Sequence, residues 1–305
     1  MPIPIEAAIA TEDSPSRETR TPGRSTWDPR TLAAFRQTVL EYYRAHGRDL
    51  PWRRTRDAYG ILVSEVMLQQ TQVSRVVEKY EEWLAAFPDL ESLAAAPLAR
   101  VLAVWQGLGY NRRALALKRL AEMLVALPGP PGGAQLPREQ AGLRALPGIG
   151  PATAAAVAAF AYDEAHPFIE TNIRAVYLHH FFPDETGVHD REILPLVEAT
   201  LDRADPRTWY YALMDYGVML KASHPNPSRR SRHHVRQSRF EGSPRQLRAR
   251  VLRLLLERPG STMAEIAAEL EHAGSPVGER FEGVLTGLMK EGLIERTAAG
   301  YRIGP

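Results

Sequence analysis

Two glutamates stand in surroundings that suit acid–base chemistry. Glu65 lies within the apolar run ILVSEVML (61–68), where burial in a helix would raise its pKa and keep it protonated. Glu170 lies in PFIETNIRAV (167–176), just before a run with helical character that begins near Thr171. The sequence leaves two interpretations of Glu170: a catalytic carboxylate, or a polar residue that favours a helix N-terminus.

The segment LPGIGPATAAAVAAF (146–160) is a second candidate for function. Gly148 and Gly150 allow a tight turn and close approach of another molecule to the backbone. The turn opens onto the N-terminus of an Ala-rich helix, where free N–H groups and the helix dipole suit a phosphate. The alternative is a tight packing joint between two helices, with no ligand.

The composition is that of an ordinary soluble globular protein, with 44% hydrophobic and 24% charged residues in a chain of 305. This length suffices for two domains and a small third. No apolar run approaches the roughly 20 residues that span a bilayer, and the N-terminus lacks the pattern of a secretory signal. We expect a disordered lead over residues 1–28, no membrane partner and a cytoplasmic, nucleoid-associated protein.

The chain contains no cysteine. This excludes disulfides, thiolate zinc sites, Cys-ligated iron–sulfur clusters and cysteine nucleophiles in one step.

Basic residues concentrate in one stretch, although the formal net charge is only +2. Between Lys221 and Arg250 the only acid is Glu241. The basic residues there are Lys221, Arg229, Arg230, Arg232, Arg236, Arg239, Arg245, Arg248 and Arg250. Such a block favours contact with phosphates, and a solvated linker is the alternative.

Helical patterns fill the chain up to about residue 240, and no strand pattern competes with them. They include residues 31–46, a run from Ile61 that reads as one helix or two in succession, and WYYALMDYGVML (209–220). PGPPGGAQLP (128–137) is a loop. This part of the chain is therefore expected to be all-helical.

The tail has a different pattern. PRQLRARVLRLLLERPG (244–260) predicts an amphipathic helix, and STMAEIAAEL (261–270) predicts a second one, with Thr262 as its cap and Glu265 shortly after. A third helix and a small hairpin made by LIER and YRI follow. This arrangement resembles a winged helix, a fold that often reads nucleic acid and often serves only as a protein-contact module.

Six motifs occur in the order and at about the spacing seen in adenine-specific mismatch glycosylases of the MutY type: LPWR (50–53), SEVMLQQTQV (64–73), GLGY (107–110), LPGIG (146–150), ETN (170–172) and MDYG (214–217). The chain thus resembles the helix–hairpin–helix DNA glycosylase superfamily over roughly residues 30–222. The resemblance implies a mainly α-helical fold with two helical lobes and a DNA-binding cleft between them, at 29–222. A basic linker at 223–243 and the winged-helix-like domain at 244–305 complete the expected organisation.

The resemblance implies that a base is flipped out of duplex DNA and excised. Cleavage of the N-glycosidic bond places positive charge on the sugar and negative charge on the base, so two carboxylates can share the work. Glu65 takes the family's general-acid position, and Glu170 aligns with the carboxylate that faces the sugar. The family has aspartate there, so the longer Glu170 must bend back or the substrate must sit differently. Asn172 matches the residue that orients this region.

Further site residues follow from the resemblance. Arg53 matches a residue that approaches the flipped base, and Ala152 and Tyr211 belong to the base pocket. Gln69 and Gln70 stand where the family inserts a side chain into the gap left by flipping. The other DNA contacts expected are Tyr110, Gly148, Gly150, Thr153, Lys221, Arg229, Arg230 and Arg232. A monovalent cation at the hairpin is the one ion that the resemblance allows.

The chain departs from the family at three places. Ala152 stands where an amine nucleophile could act, and no lysine lies on the hairpin, which argues against Schiff-base strand cleavage. Lys221 replaces the first of four cysteines that hold the family's iron–sulfur cluster, and the Arg-rich segment is expected to contact phosphates instead. A metal held by His224, His233 and His234 is an alternative, with a spacing that fits no standard site. The tail is also shorter than, and unlike, the Nudix-like domain that reads 8-oxoguanine.

We therefore expect a monofunctional, monomeric glycosylase that removes a mispaired base from double-stranded DNA, with adenine opposite G or 8-oxoguanine as the leading substrate. Two alternatives stay open. One is an enzyme acting on thymine or uracil opposite guanine, which the altered pocket wall at Ala152 allows. The other is a non-catalytic protein that binds unusual DNA structures.

Overall fold

A computed structural model describes residues 27–128, 133–235, 239–274, 278 and 280–305. Within this part the chain folds into fourteen α-helices, two 3₁₀ turns and a two-stranded antiparallel sheet. The helices are α1 (Pro29–His46), α2 (Ala58–Leu68), α3 (Val73–Ala86), α4 (Leu90–Ala95), α5 (Leu98–Trp105), α6 (Arg112–Ala126), α7 (Gln140–Arg144), α8 (Pro151–Tyr162), α9 (Thr171–Phe181), α10 (Asp190–Thr200), α11 (Pro206–Ser223), α12 (Pro244–Glu257), α13 (Met263–His272) and α14 (Phe281–Glu291). The 3₁₀ turns are Pro51–Arg53 and Pro227–Arg230, and the strands are β1 (Ile294–Arg296) and β2 (Tyr301–Ile303).

The all-helical expectation for the first 240 residues is confirmed for the described part of this region. Pairing between extended segments is limited there to one isolated bridge, between Val188 and Ser231. The run from Ile61 proves to be two helices, α2 and α3, separated by residues 69–72. None of the described helices is long and apolar enough to cross a bilayer.

Some expectations fall outside the described residues. Residues 1–26 of the expected disordered lead, residues 129–132 of the expected loop and Arg236 of the basic stretch belong to this group.

The contacts between helices divide α1–α11 into two lobes. Helices α2–α8 pack on one another, while α1 packs with α9, α10 and α11. Helix α2 is buried on nearly every side, so it lies inside its lobe rather than on its surface. Glu65 is on α2 and Glu170 immediately precedes α9, so each lobe contributes one carboxylate.

The tail forms the three helices and the hairpin that its pattern predicts. Thr262 caps α13 in a reciprocal capping box with Glu265, which explains why this start was readable from the sequence. In the hairpin, Ile294 pairs with Ile303. Arg119 of α6 donates to the carbonyl of Glu291 at 3.3 Å, so the end of α14 lies against the first lobe.

Candidate active site

Glu65 lies near the C-terminal end of α2, among residues that are almost all buried. Its side chain keeps some solvent-accessible surface, yet protein surrounds it closely. Burial first, and then the negative charge of Glu170, raise the pKa of Glu65 to about 8, against the opposing charge of Arg53. A carboxyl group with this pKa is protonated at neutral pH and can act as a general acid.

Glu170 is the N-cap of α9. Its Oε1 accepts hydrogen bonds from the backbone N–H groups of Asn172 at 2.7 Å and Ile173 at 2.9 Å. Its Oε2 accepts one from Asn172 Nδ2 at 3.1 Å. The extra methylene is therefore taken up by a side chain that bends back over the helix N-terminus, where the donors stabilise negative charge. Glu170 is thus a helix cap in this structure, and its charge also acts on Glu65.

Close packing of α11 fixes the start of α9. A Cβ atom on Gly217 would lie 2.4 Å from the carbonyl oxygen of Asn172, which no side chain tolerates. Packing against α9 therefore requires glycine at this position of the MDYG motif, which the sequence alone did not reveal. Asn172 is held in this way at its backbone and, through Nδ2, at Glu170.

Arg53 forms an ion pair with Asp215, which the resemblance did not imply. Its Nη1 and Nη2 each donate to Asp215 at 2.8 Å, and Asp215 also accepts from Arg48 N at 2.8 Å and Arg48 Nε at 2.7 Å. Burial alone would raise the pKa of Asp215, but the hydrogen bonds and charge of Arg53, with those of Arg48, hold it below its ordinary value. Both Nη atoms of Arg53 are thus bonded to Asp215, and the approach of Arg53 to a flipped base stays a prediction.

Tyr211 packs beside Arg53. Its ring stacks on Phe160, with centroids 4.3 Å apart, and the Arg53 guanidinium carbon lies 4.4 Å from its centre. Burial raises the pKa of Tyr211; the charge of Arg207 opposes this and that of Glu65 adds to it. The phenol is therefore neutral, and it lies near enough to Glu65 for the two groups to interact.

Three buried polar atoms at this place have no hydrogen-bond partner in the described part of the chain: Arg53 Nε, Asn172 Oδ1 and Tyr211 Oη. Buried polar groups are normally bonded, so such a group invites an explanation by a ligand or by water. We call the set formed by Glu65, Glu170, Asn172, Arg53 and Tyr211 the carboxylate recess.

Two cavities of the structure lie outside the carboxylate recess. One, of about 310 Å³, lies between α1 and α11 beside the Arg48–Asp215 pair, which is the lower end of the range for small-molecule sites. The other, of about 420 Å³, lies between α13, α14 and the hairpin and is lined by Glu282 and Arg296. Neither cavity is lined by Glu65 or Glu170, the two glutamates of the carboxylate recess.

The LPGIG turn between α7 and α8 forms the hairpin. Gly148 has a φ of +77°, and a Cβ there would lie 2.6 Å from that of Ala116, so both backbone conformation and packing require glycine. Gly150 faces open space instead, with nothing within 4 Å of a Cβ. Ala152 is exposed on the first turn of α8. The roles expected for these residues at a phosphate and in the base pocket stay predictions.

Two turns carry the side chains expected to enter the duplex: the α2–α3 turn (69–72) and the α5–α6 turn (106–111). Gln70 and Tyr110 are both exposed there and both have positive φ, at 57° and 48°. Gln69 differs, because its Nε2 donates to Thr153 Oγ1 at 3.1 Å and so ties the first turn to α8. The entry of these side chains into a duplex stays a prediction.

Residues 226–232 follow α11, where the resemblance places the cluster-binding loop. Ser228 Oγ donates to the carbonyl of Thr171, between the two polar residues of the recess, at 3.1 Å. Arg230 Nη2 donates to the carbonyl of Leu178 at 2.7 Å, and Nη1 donates to that of Pro183. This segment is thus hydrogen-bonded to both ends of α9.

The basic residues of this region that are expected to contact phosphate differ in their exposure and in their hydrogen bonds. Arg230 donates from both Nη atoms to protein carbonyls, and its contact with a phosphate stays a prediction. Arg229 and Arg232 are exposed, and their role stays a prediction. Lys221 lies one helical turn after Gly217 and is half-buried; burial lowers its pKa, and the nearby charge of Glu170 opposes this.

The histidines considered as metal ligands are separated. The His224 ring packs on His179 at 4.9 Å, and the His233 ring packs on His189 at 5.5 Å. Across the ranges that the structure covers, no group of three or more His, Cys, Asp or Glu residues is arranged to hold a metal ion. The absence of cysteine likewise means that no thiolate-held iron–sulfur cluster can be bound.

Some residues at the site were not identified from the sequence. Asp215 belongs to a motif that was recognised, but its ion pair with Arg48 and Arg53 joins residues 167 and 162 positions apart. Ser228 carried no local signal at all.

Fold and site together define a scaffold of the kind used by helix–hairpin–helix DNA glycosylases. The family model described as "HhH-GPD superfamily base excision DNA repair protein" matches residues 63–198. The structure is similar to that of a thermostable thymine-DNA glycosylase, with a TM-score of 0.56 and 25% identity over 65% of this chain and 91% of that one. It also shares its fold with endonuclease III in a non-covalent DNA complex, with a TM-score of 0.50 and 17% identity over 60% of this chain and 84% of that one.

Sequence relatives narrow the assignment. The adenine DNA glycosylase of Mycolicibacterium smegmatis is 35% identical over 280 residues, which cover 86% of this chain and 93% of the relative. The human adenine DNA glycosylase is 36% identical over 206 residues, which cover 63% of this chain but only 37% of the human protein. The chain belongs to the adenine DNA glycosylase family of the HhH-GPD superfamily.

The neighbouring arginines Arg229 and Arg230 allow a matched test of the segment after α11. Arg230→Met removes charge-assisted bonds to two backbone carbonyls and should lower the free energy of unfolding by about 1–3 kcal/mol. Arg229→Met should leave stability unchanged, because its side chain is exposed. It should instead reduce the slope of log affinity for duplex DNA against log salt concentration by about one. Thermal unfolding and binding titrations at several salt concentrations check both. The assignment fails if Arg229→Met is the destabilised variant or if Arg230→Met alone changes the salt slope.

Proposed function

We propose that this protein hydrolyses the N-glycosidic bond of an adenine that has been flipped out of a mispair with guanine or 8-oxoguanine. The observation that carries the proposal is the carboxylate recess: one protonated and one hydrogen-bonded glutamate, contributed by different lobes, in a chain of this family. Base excision requires one group that donates a proton and another that supports a cationic sugar. Glu65 and Glu170 supply these two properties.

The reaction balances with these two residues and one water. Glu65 gives its proton to a ring nitrogen of the base while the bond between that base and C1′ breaks, so the base leaves in neutral form. The carboxylate of Glu170 stabilises the positive charge that develops on the sugar. Water then adds to C1′, and its proton returns to Glu65. The products are free adenine and an abasic site.

The three unpartnered polar atoms support the same proposal. Arg53 Nε and Tyr211 Oη can donate, and Asn172 Oδ1 can accept, so the recess offers both kinds of partner to a polar ligand. A heteroaromatic base presents donors and acceptors on its edges. The Tyr211 ring, stacked on Phe160, adds a flat apolar wall. The recess is therefore suited to a heteroaromatic base.

We propose that the enzyme is monofunctional. The hairpin carries Ala152 where an amine nucleophile would act, and strand cleavage through a Schiff base needs such an amine. The DNA strand should remain intact until alkali cleaves it at the abasic site.

A panel of labelled duplexes tests the proposal. The target pairs are A opposite 8-oxoguanine, A opposite G, T opposite G, U opposite G and the normal pairs. We expect alkali-labile sites at adenine in the first two and none without alkali. The absence of alkali-labile sites in every duplex would contradict the proposal.

A second candidate is excision of thymine or uracil opposite guanine. Its support is the structural similarity to a thymine-DNA glycosylase, which covers 91% of that chain, together with the small Ala152 at the expected pocket wall. The same panel separates the two, because only the second candidate yields labile sites at T or U. If no base is released but bent or abasic DNA binds tightly, the non-catalytic alternative replaces both.

A further inference from the structure

Arg113, near the start of α6, joins the two turns that carry Gln70 and Tyr110. Its Nη1 donates, at 2.7–2.9 Å, to the carbonyl oxygens of Val66, Met67 and Gln69. Its Nη2 donates to the Thr71 hydroxyl at 3.2 Å and to the carbonyl oxygens of Leu108 and Gly109, both at 3.0 Å. One guanidinium therefore bonds to the end of α2, to the α2–α3 turn and to the α5–α6 turn.

Among the described residues, no carboxylate is paired with this guanidinium, although the residue is half-buried. Its central carbon lies 5.1 Å from the centre of the Trp105 ring and 5.6 Å from that of Tyr110. Burial lowers the pKa of Arg113 to about 10, so it remains charged at neutral pH. A buried charge is tolerated only where hydrogen bonds replace water, and here helix-end and turn carbonyls do so. The arrangement makes Arg113 hard to replace by any other side chain.

The two turns that Arg113 joins are also conformationally strained. Across the described ranges, only three non-glycine residues have positive φ: Gln70, Tyr110 and Asp163. Two of the three thus lie in turns bonded to Arg113. Such conformations are disfavoured for residues with a Cβ and persist where the surrounding structure enforces them, which is frequent at functional sites.

We propose that Arg113 is a positioning residue for base flipping. It holds the α2–α3 and α5–α6 turns at a fixed separation and in their strained conformations, so that Gln70 and Tyr110 meet the duplex together. This inference rests on the proposed function, which supplies the duplex. Turns that are already ordered lose little entropy when DNA binds. Arg113 acts through the turns and touches neither base nor sugar.

The test compares two substrates with Arg113→Met and Arg113→Lys. In the first substrate adenine lies opposite guanine, and in the second it lies opposite an abasic gap, where no partner has to be separated. We expect the single-turnover excision rate on the first to fall about 100-fold, the effect of an ångström-scale misplacement. On the second we expect a loss of less than about 5-fold, since flipping an unpaired base is easier. Lysine keeps the charge but lacks the planar fork, so Arg113→Lys should resemble Arg113→Met.

Arg100→Met is the matched control. Arg100 also lies beside an aromatic ring, Phe87, and donates to one backbone carbonyl, that of Ala86, at 3.4 Å, away from both turns. It should leave both rates unchanged. A role of Arg113 in folding alone would reduce both rates by the same factor, through a smaller active fraction, and that outcome would overturn the proposal.

A readout without turnover separates this inference from the proposed function. A 2-aminopurine placed next to the target base becomes brighter when the stack opens. Wild-type protein should brighten it, and both Arg113 variants should not. If wild-type protein opens the stack, both variants fail to open it and nothing is excised, the proposed function fails while the role of Arg113 stands. If the Arg113 variants open the stack as well as wild-type protein does, the role of Arg113 is wrong.

Discussion

Glu65→Gln is expected to reduce the single-turnover rate of base excision by about 100- to 10,000-fold, the usual contribution of a general acid, while affinity for duplex DNA is unchanged. Glutamine keeps the shape and polarity of Glu65 but has no proton to donate. Glu78→Gln, on the exposed face of α3, is the control and should leave excision unaffected. Equal rates for Glu65→Gln and wild-type protein would remove Glu65 from the mechanism.

The same residue predicts the pH dependence of the wild-type enzyme. Because the pKa of Glu65 is raised to about 8, the required acid form predominates below that pH and is lost above it. The single-turnover rate should therefore fall about tenfold for each pH unit above 8. A rate that stays constant from pH 7 to well above 9 would show that another group donates the proton.

Glu65 should also make the wild-type protein less stable at alkaline pH than its glutamine variant. In the unfolded chain the pKa of this carboxyl is near its ordinary value of 4.5, and in the folded protein it is about 8. Between these values the folded state binds the proton that the unfolded state has released, so the free energy of unfolding decreases as pH rises. The Glu65→Gln variant has no carboxyl group here, so its free energy of unfolding lacks this decrease with pH. Its advantage in Tm should grow from about pH 4.5 to about pH 8 and then remain constant.

The pair Glu170→Asp and Glu170→Asn separates the charge of Glu170 from its capping role. Aspartate and asparagine are about equally good N-caps, so both variants should unfold at nearly the same temperature. Aspartate retains the negative charge at the helix N-terminus, close to where the bent glutamate now holds it, and should keep excision within about tenfold of wild type. Asparagine removes the charge that stabilises the sugar in the proposed mechanism, and should lower excision by at least about 100-fold.

The measurement is single-turnover excision, together with thermal unfolding of each variant. If the asparagine variant excises as fast as the aspartate variant, Glu170 is a helix cap and nothing more. If aspartate is as slow as asparagine although both fold, the length of Glu170 is itself required. Each result therefore decides between the two interpretations that the sequence left open for this residue.

Much of the fold was predictable because its signals are local. Thr262 and Glu265 indicate the start of α13, because both partners of the capping box lie within one turn of helix. The break between α2 and α3 was left undecided, because QQTQ contains neither glycine nor proline. That break is enforced by the positive φ of Gln70 and by hydrogen bonds from Arg113, 44 residues beyond Gln69. No local or periodic pattern in the sequence indicates a contact between residues so far apart.

The candidate site was predictable in part for the same reason. Glu65 and Glu170 belong to contiguous motifs, and their positions were found from those motifs. The partners of Arg53 were not found, because Asp215 is 162 residues away. Arg230 was assigned to phosphate from its charge and from its place after α11, and neither shows that its guanidinium donates to the carbonyls of Leu178 and Pro183.

The sequence by itself determined the chemical inventory: the family motifs, two glutamates with the right neighbours, no cysteine and a hairpin without an amine. Only the tertiary structure decided the protonation of Glu65 and the hydrogen bonds of Glu170. Burial beside Glu170 gives Glu65 the pKa of an acid, and the helix N-terminus bends Glu170 back into a cap. The pKa of Glu65 arises where the two lobes meet, because desolvation and charge interaction depend on distance in space, which the order of residues along a chain does not specify.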